Sequence, residues 1–295
     1  MVHENSATDN NEQESKPVLK VLIHSFVVIP FLIAVLGVLF FTFINLLTRE
    51  EHSPLDYLND IKVGGANRRW QAAYELSQIL NKPNSLTENQ QFVSEMINLF
   101  RQVEHDDVRV RQYLALAMGR TGNPSFLDPL VEVLPNARED NLPAIINALG
   151  NLRQAKAATA LYSFLNHANP SVRLQTVIAL GRLADKGSLE VLRKSLYDRE
   201  PNVRWDAAVA LAKMGDVSGN EVLLSLLNES YLEDFKEVDV SERDQAMLVA
   251  IKAAEMLNDP LLDEAIEKLS KTARNMEVRK IALRVISMRQ ENTKQ

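Results

Sequence analysis

The distribution of apolar and polar positions divides the chain into a polar start, one long apolar run and a long region of helical periodicity. Residues 1–19 are rich in Asn, Glu and Ser, a composition that cannot bury enough apolar surface to fold alone. The run from Val21 to Leu47 contains no Asp, Glu, Lys or Arg. As a helix it would be ~40 Å long, more than the ~30 Å hydrocarbon core of a bilayer. The pattern predicts a single transmembrane helix over residues 20–48.

A cleaved signal peptide is the alternative to a permanent anchor. The apolar core of a signal peptide has about 7–15 residues and precedes a small-residue cleavage site. This run is much longer and no such site follows it, so we expect a cell-membrane protein whose residues 21–47 contact the lipid bilayer. Basic residues lie on both sides of the run. They leave the orientation open, with a slight preference for a cytoplasmic repeat domain.

Residues 49–66 read as a linker that contains one short amphipathic helix. Ser53 followed by Pro54 is typical of an N-cap and a first helical position. An apolar stripe at helical spacing follows, consisting of Leu55, Leu58 and Ile61. Two glycines then end the segment. We expect this helix to dock on the first repeat as a cap.

From residue 67 to residue 290 the chain repeats. Segments that start at Val172 and Val203 lie 31 residues apart and read VRLQTVIALG and VRWDAAVALA. An earlier copy starts at Val110, and a diverged copy starts at Asn141. Small residues occupy one column of the alignment, namely Gly119, Gly150, Gly181 and Ala212, and apolar residues occupy the column before it, namely Met118, Leu149, Leu180 and Leu211. Several aligned columns are a strong sign of a repeat architecture.

Each unit has the pattern of two amphipathic helices. In one copy, Leu174, Val177 and Leu180 line the first helix, and Leu189, Leu192 and Leu196 line the second. The small-residue column either lets the two helices of a unit approach closely or marks the end of the first helix. A helix pair cannot bury its apolar faces alone, whereas stacked pairs can. The sequence predicts an all-α protein with an α-solenoid of about six helix pairs over residues 67–290 and a C-terminal tail over 291–295.

The Val-Arg pairs at Val110, Val172, Val203 and Val278, together with the Gly column, resemble the HEAT-like repeats typified by the phycobilin-lyase family. Units of that family read D-x-x-V-R-x-x-A-x-x-A-L-G, and the resemblance covers roughly residues 66–290. It implies a fold and only weakly a function, because the pattern describes packing. The layout of span, linker and repeats is also similar to bacterial HEAT-repeat membrane proteins of undefined activity.

Composition and charge narrow the possible functions. The net charge is −6; residues 1–48 hold 2 basic and 4 acidic residues, which leaves 31 and 35, a net −4, for the rest. A mildly acidic domain is a poor nucleic-acid binder, so we expect no nucleic acid. The chain has no cysteine, which excludes disulfides, thiolate metal sites and cysteine nucleophiles.

Two groups with similar repeats are enzymes. Phycobilin lyases attach a tetrapyrrole, and nothing in this sequence points to that chemistry. Deoxyhypusine hydroxylases bind two irons through repeated His-Glu pairs, whereas this chain has one such pair, His3-Glu4. A di-iron centre needs several convergent ligands. We therefore expect no catalytic residues, no cofactor and no metal, and a lyase-type enzyme or enzyme subunit remains the alternative.

The acidic segment at residues 229–242 is the main candidate for partner binding. It interrupts the repeat period and carries six carboxylates against Lys236. A solvated loop is the ordinary interpretation of such a segment, but insertions in solenoids often form the binding face. The candidate contact residues of the segment are Tyr231, Glu233, Asp234, Phe235 and Glu237.

Two tryptophans and a column of arginines complete the candidates. Trp70 and Trp205 share a repeat position and are either partner anchors or packing between repeats. The arginines, Arg69, Arg111, Arg173, Arg204 and Arg279, are either a basic ladder or structural contacts to carboxylates and carbonyls. The sequence as a whole predicts a membrane-anchored scaffold or adaptor that binds a membrane-associated protein partner in an envelope or membrane complex.

Overall fold

The computed structural model describes residues 26, 28–47, 52–80 and 89–293, and every regular element in these ranges is a helix. The chain divides into two compact units, Met1–His52 and Ser53–Gln295. The predicted polar tail over residues 1–19 lies outside the described residues. The expected all-helical fold is confirmed for the described part of the chain.

The first unit contains helix α1, Ile29–Leu47. None of the helices in the described part of the chain combines the length and the apolar character needed to cross a membrane. Helix α1 has 19 residues, which gives a length of about 28 Å against a hydrocarbon core of about 30 Å. The prediction of a membrane protein with a span over residues 20–48, lipid contact through 21–47 and a cell-membrane location is therefore wrong. The run is described as helix only in its later part.

The second unit is a stack of helix pairs. The first helices of successive pairs are α3 (Ala66–Ile79), α5 (Val108–Thr121), α7 (Leu142–Leu152), α9 (Pro170–Leu183), α11 (Pro201–Lys213) and α14 (Val240–Ala254). The second helices are α4 (Gln90–Gln102), α6 (Leu127–Val133), α8 (Ala158–Leu161, continued by the 3-10 helix Tyr162–Asn166), α10 (Leu189–Ser195), α12 (Asn220–Leu226) and α15 (Pro260–Thr272). Three further helices are α2 (Pro54–Val63), α13 (Glu229–Glu233) and the last, α16 (Met276–Thr293). The described residues of this unit thus form six pairs, the preceding helix α2, the short helix α13 and the final helix α16.

Local signals set where the helices begin. At α9 the side chain of Asn169 accepts a hydrogen bond from the Ser171 backbone N–H, and Pro170 occupies the first turn. The Asn169 amide also donates to Glu139 in the preceding unit at 2.9 Å. Asn169 therefore both caps α9 and joins it to the preceding unit.

Helix α2 begins with a capping box, in which Ser53 and Asp56 each bond the backbone of the other. Leu58 and Ile61 are buried and α2 packs against α3. The Arg69 Nε donates to the Ile61 carbonyl at 2.7 Å. The short helix predicted from Ser53-Pro54 is therefore present and covers the first helix pair.

The glycine column marks the contact between first helices of successive units. A Cβ at Gly150 would lie 2.8 Å from the Ala179 Cα, and one at Gly119 would lie 2.5 Å from the Ala148 Cα. Only glycine permits this spacing, because a methyl group would overlap backbone atoms of the next helix. The close approach predicted from this column is present, but it runs between the first helices of successive units and not between the two helices of one unit. Leu180 and Leu211, in the preceding column, have relative exposures of 0%, as their repeat register predicts.

The stack is less tightly packed at one junction. The fourth member of the glycine column is Ala212, which carries a methyl group. Helix α11 packs less extensively on α14 than the earlier first helices pack on one another. This junction is where the period is interrupted by residues 229–239, hereafter called the insertion.

Candidate interaction surface at the insertion

The insertion is an ordered element with a helix of its own. Helix α13 is capped by Asn228, whose side chain accepts from the Ser230 N–H. A turn follows, and Asp239 with Glu242 forms a capping box that starts α14. The last three residues of the acidic segment thus belong to α14. The other residues form a short helix and turn that fill the break in the period.

An aromatic cluster holds the insertion on the stack. The rings of Tyr231 and Phe235 lie edge to face with the Trp205 ring of α11, at centroid distances of 6.4 and 5.1 Å. The two insertion rings are 5.3 Å apart, and the Trp205 Nε1–H donates to the Tyr231 hydroxyl at 3.3 Å. Such contacts add to the burial of apolar area. Trp205 is 9% exposed, so these three rings pack on one another.

Two further contacts fix the insertion. The Leu232 side chain is 2% exposed and belongs to the core. The Arg243 Nη2 of α14 donates to the Phe235 carbonyl at 2.9 Å. The aromatic, aliphatic and polar contacts together place the insertion against α11 and α14.

The carboxylates of the insertion face outward. Glu233 is exposed and forms an ion pair with Arg274. Asp234 and Glu237 are exposed, and no residue in the described ranges forms a hydrogen bond or ion pair with their carboxylates. Lys236 is the one basic side chain of the insertion. The outer face of the insertion therefore carries an excess of negative charge.

The insertion also borders a cleft of about 320 Å³. Its apolar lining consists of Leu232 and Met247, each 2% exposed, and Val240, which is 70% exposed. Its polar lining consists of Glu229, Glu233, Arg243, Asp244, Arg274 and Asn275. Sequence reasoning missed Arg243 and Arg274 as parts of this surface, because neither follows a repeat column and Arg274 lies 35 residues beyond the insertion.

Trp70 is not part of this surface. It lies on α3, which three intervening first helices, α5, α7 and α9, separate from α11 in the stack. The Arg109 guanidinium carbon lies 4.5 Å from the Trp70 ring centroid, a cation–π contact that joins two successive units. The predicted site residues are thus divided: five insertion residues and Trp205 come together, and Trp70 does not.

The arginine column has structural contacts. Arg173 donates to both oxygens of Asp198, from Nε at 2.8 Å and from Nη2 at 2.9 Å, and to the His167 carbonyl at 2.9 Å. The Arg204 Nη1 donates to the Asp198 carbonyl at 2.8 Å. Arg111 is 4% exposed and lies over the Phe100 ring. The Arg69 side chain likewise bonds the Ile61 carbonyl. These contacts are structural, but the bonded carbonyls precede each arginine in the chain. Of the contacts described, the Arg173–Asp198 pair is the one that runs forward, as the structural interpretation expected.

Within the described ranges, no group of three or more His, Asp or Glu side chains converges on a point that could hold a metal ion.

Comparison with known proteins supports the repeat assignment. A family described as HEAT repeats matches residues 160–238. No curated protein matches the sequence. A structure of the complex of CpcE and CpcF of phycocyanin lyase from Nostoc sp. PCC7120 is 17% identical with a TM-score of 0.54, over 82% of this chain and 96% of that chain.

Two other solved structures have lower TM-scores. An archaeal HEAT-like repeats protein from Thermococcus onnurineus NA1 is 15% identical with a TM-score of 0.44, over 81% of this chain and 97% of that chain. A computationally designed armadillo repeat protein for modular peptide recognition is 20% identical with a TM-score of 0.39, over 80% and 99%. At these TM-scores the two structures carry no argument of their own. The HEAT-repeat match over residues 160–238 and the likeness to the phycocyanin lyase complex concern the fold alone: the described part of the chain is all-helical and resembles α-solenoid repeat proteins.

Proposed function

We propose that this chain is a non-catalytic protein–protein interaction scaffold and that the insertion is its docking element. One observation carries the proposal: an ordered break in a regular stack holds Glu233, Asp234 and Glu237 on an exposed outer face. A repeat stack offers a long surface, and insertions in such stacks often lie on the binding face. A solvated loop without a partner would not need the aromatic contacts that hold this segment in one position.

The proposal assigns different roles to the polar and aromatic side chains. The carboxylates contact the partner and speed its encounter, because exposed charges act mainly on association rates. Tyr231, Phe235 and Trp205 position the insertion, since their rings are engaged with one another. Trp70 joins two repeat units and has no part in this docking site.

The test is a charge-neutralising variant of the full chain, in which Glu233, Asp234 and Glu237 are replaced by Ser. Affinity purification with quantitative mass spectrometry compares its partners with those of the wild type. A captured partner is then used to measure association rates at low and high ionic strength. We expect slower association, with the larger effect at low ionic strength, because salt screens exposed charges.

The matched control removes the same number of carboxylates from second helices. Glu190, Glu221 and Glu264 are exposed residues on α10, α12 and α15 and are replaced by Ser together. This control keeps the net charge equal to that of the test variant. If both variants retain the wild-type partners and association rates, the insertion is not a docking element.

The alternative expected from the sequence is a lyase-type enzyme or enzyme subunit of the phycobilin-lyase group. Its support is the likeness in fold to the phycocyanin lyase complex, at 17% identity. A fold of this kind serves unrelated functions, and no residue of this chain carries that chemistry by position. We therefore retain the scaffold as the proposed function.

A further inference from the structure

The cleft beside the insertion has the chemistry of a socket for an arginine side chain. Its apolar lining consists of Leu232, Met247 and Val240, of which Val240 is 70% exposed and offers surface to an aliphatic stem. Two carboxylates, Glu229 and Glu233, stand on the wall that belongs to the insertion. Arginine buries its aliphatic stem on apolar surface and pairs its planar guanidinium with carboxylates. The cleft offers an apolar lining for the stem and two carboxylates for the guanidinium.

The chain's own Arg274 already engages this wall. Its guanidinium forms an ion pair with Glu233, and its backbone N–H donates to a Glu229 oxygen at 3.0 Å. The Arg274 side chain nevertheless remains 77% exposed and that of Glu233 42% exposed. Exposed ion pairs contribute little to stability, so a guanidinium from another molecule can replace Arg274 at small cost.

The surrounding charges favour a cationic occupant. Asp234 and Glu237 add two free carboxylates on the outer face of the insertion, and Asp244 also lines the cleft, where it accepts from the Asn275 amide at 2.6 Å. The opposing charges are the exposed Lys236 of the insertion and Arg243, whose guanidinium is directed at the Phe235 carbonyl. The negative charge of the region therefore exceeds the positive charge, even with Arg274 in place.

We propose that the cleft between the insertion, α14 and the start of α16 binds an arginine of a basic partner segment, which displaces Arg274 from Glu233. This inference rests on the proposed function and adds the chemical class of the partner. Arg274 then acts as an internal competitor, so its removal should strengthen binding. If the Arg274–Glu233 ion pair only stabilised the fold, removal of Arg274 would weaken binding or leave it unchanged.

Fluorescence anisotropy of a labelled octapeptide of alternating Arg and Gly, titrated with the full chain, tests the proposal. Replacing Glu229 and Glu233 with Gln should weaken binding about tenfold, because two charge-assisted hydrogen bonds are lost. Arg274→Ala should tighten binding about threefold by removing the competitor, and its backbone N–H remains available to Glu229. A peptide of alternating Lys and Gly should bind more weakly than the Arg peptide, because it lacks the planar fork.

The matched control is Arg101→Ala. Arg101 forms an ion pair with Glu132 of the next unit at 2.8 Å, with side chains 50% and 65% exposed, and neither residue lines the cleft. This variant also removes one positive charge and frees one glutamate. Equal tightening by Arg101→Ala and Arg274→Ala would mean general charge attraction and would overturn the proposal.

The remaining outcomes separate this inference from the proposed function. Loss of peptide binding on neutralising Asp234 and Glu237, but not Glu229 and Glu233, would overturn the arginine socket and leave the docking role of the insertion intact. Unchanged affinity in Arg274→Ala would also overturn the socket, and that variant keeps the test valid if the double Gln variant fails to fold. A third outcome combines two results: Arg274→Ala binds the Arg peptide more tightly and Arg101→Ala does not, while the captured partners do not depend on the insertion carboxylates. That outcome would support the socket and contradict the docking role.

Discussion

At the residue scale, the pair of Arg173 and Asp198 links two successive units. Both side chains are nearly buried, 5% and 11% exposed. Burial acts to raise the pKa of the Asp198 carboxyl, but hydrogen bonds from Arg173 and from the Glu200 backbone outweigh it and hold the pKa below its usual value. The arginine column could be predicted from the repeat alignment. Asp198 could not, because the preceding copies carry His105, Asn136 and His167 at its position, and only the next copy, with Glu229, is also acidic there.

We expect Asp198→Asn to lower the free energy of unfolding by about 3 kcal/mol at neutral pH, because Arg173 loses its charged partner. The folded carboxyl has a lowered pKa, so its stabilising contribution is present above the unfolded pKa and is lost as pH falls through the folded pKa, below about 4. Urea unfolding from neutral to acid pH measures this difference. The control Glu190→Gln breaks an exposed pair with Lys194. If the difference in the free energy of unfolding between wild type and Asp198→Asn stayed constant as the pH was lowered, this account would be refuted.

A second residue-scale prediction concerns the glycine column. Gly150→Ala should lower the free energy of unfolding by about 1–3 kcal/mol, because the methyl group meets the Ala179 backbone and the two helices must separate. Gly65→Ala is the control, since nothing lies within 4 Å of an added Cβ there. Thermal or urea unfolding gives both values. A gain of about 1 kcal/mol, which a glycine inside an uncrowded helix would show on replacement by alanine, would exclude the close contact.

At the scale of elements, the insertion was predictable in position and composition but not in conformation. The 31-residue period locates the break, and the acidic residues with two aromatics suggest a surface loop whose rings face a partner. The sequence could not indicate that these rings pack on Trp205, because that contact depends on how the chain returns between α12 and α14. Because the rings pack on Trp205, we expect the segment to contribute to stability.

Replacing Tyr231 and Phe235 with Ala should lower the free energy of unfolding by about 1–3 kcal/mol, since two half-buried rings leave the Trp205 cluster. Differential scanning fluorimetry measures the accompanying fall in melting temperature, and limited proteolysis at the insertion should become faster. Tyr197→Ala is the matched control, because that ring is 89% exposed and should change little. An unchanged melting temperature in the double variant would mean that the insertion is not docked.

At the scale of the whole molecule, the repeat columns were sufficient to predict six stacked pairs, because each column reports a packing position. They could not predict the looser junction between α11 and α14, which results from the insertion and from Ala212 in place of glycine. The membrane prediction was wrong because it counted an uninterrupted apolar run, whereas the described helix covers only its later part.

The central claim is that the outer face of the insertion contacts a protein partner. A photo-crosslinking amino acid at position 234, compared with one at position 190 on α10, tests this claim most directly. Both positions are exposed and acidic, and only the first lies on the insertion. We expect one dominant protein adduct from position 234 that is reduced by added salt or by the Arg peptide, and little from position 190. Equal adducts from both positions, or none from position 234, would contradict the claim.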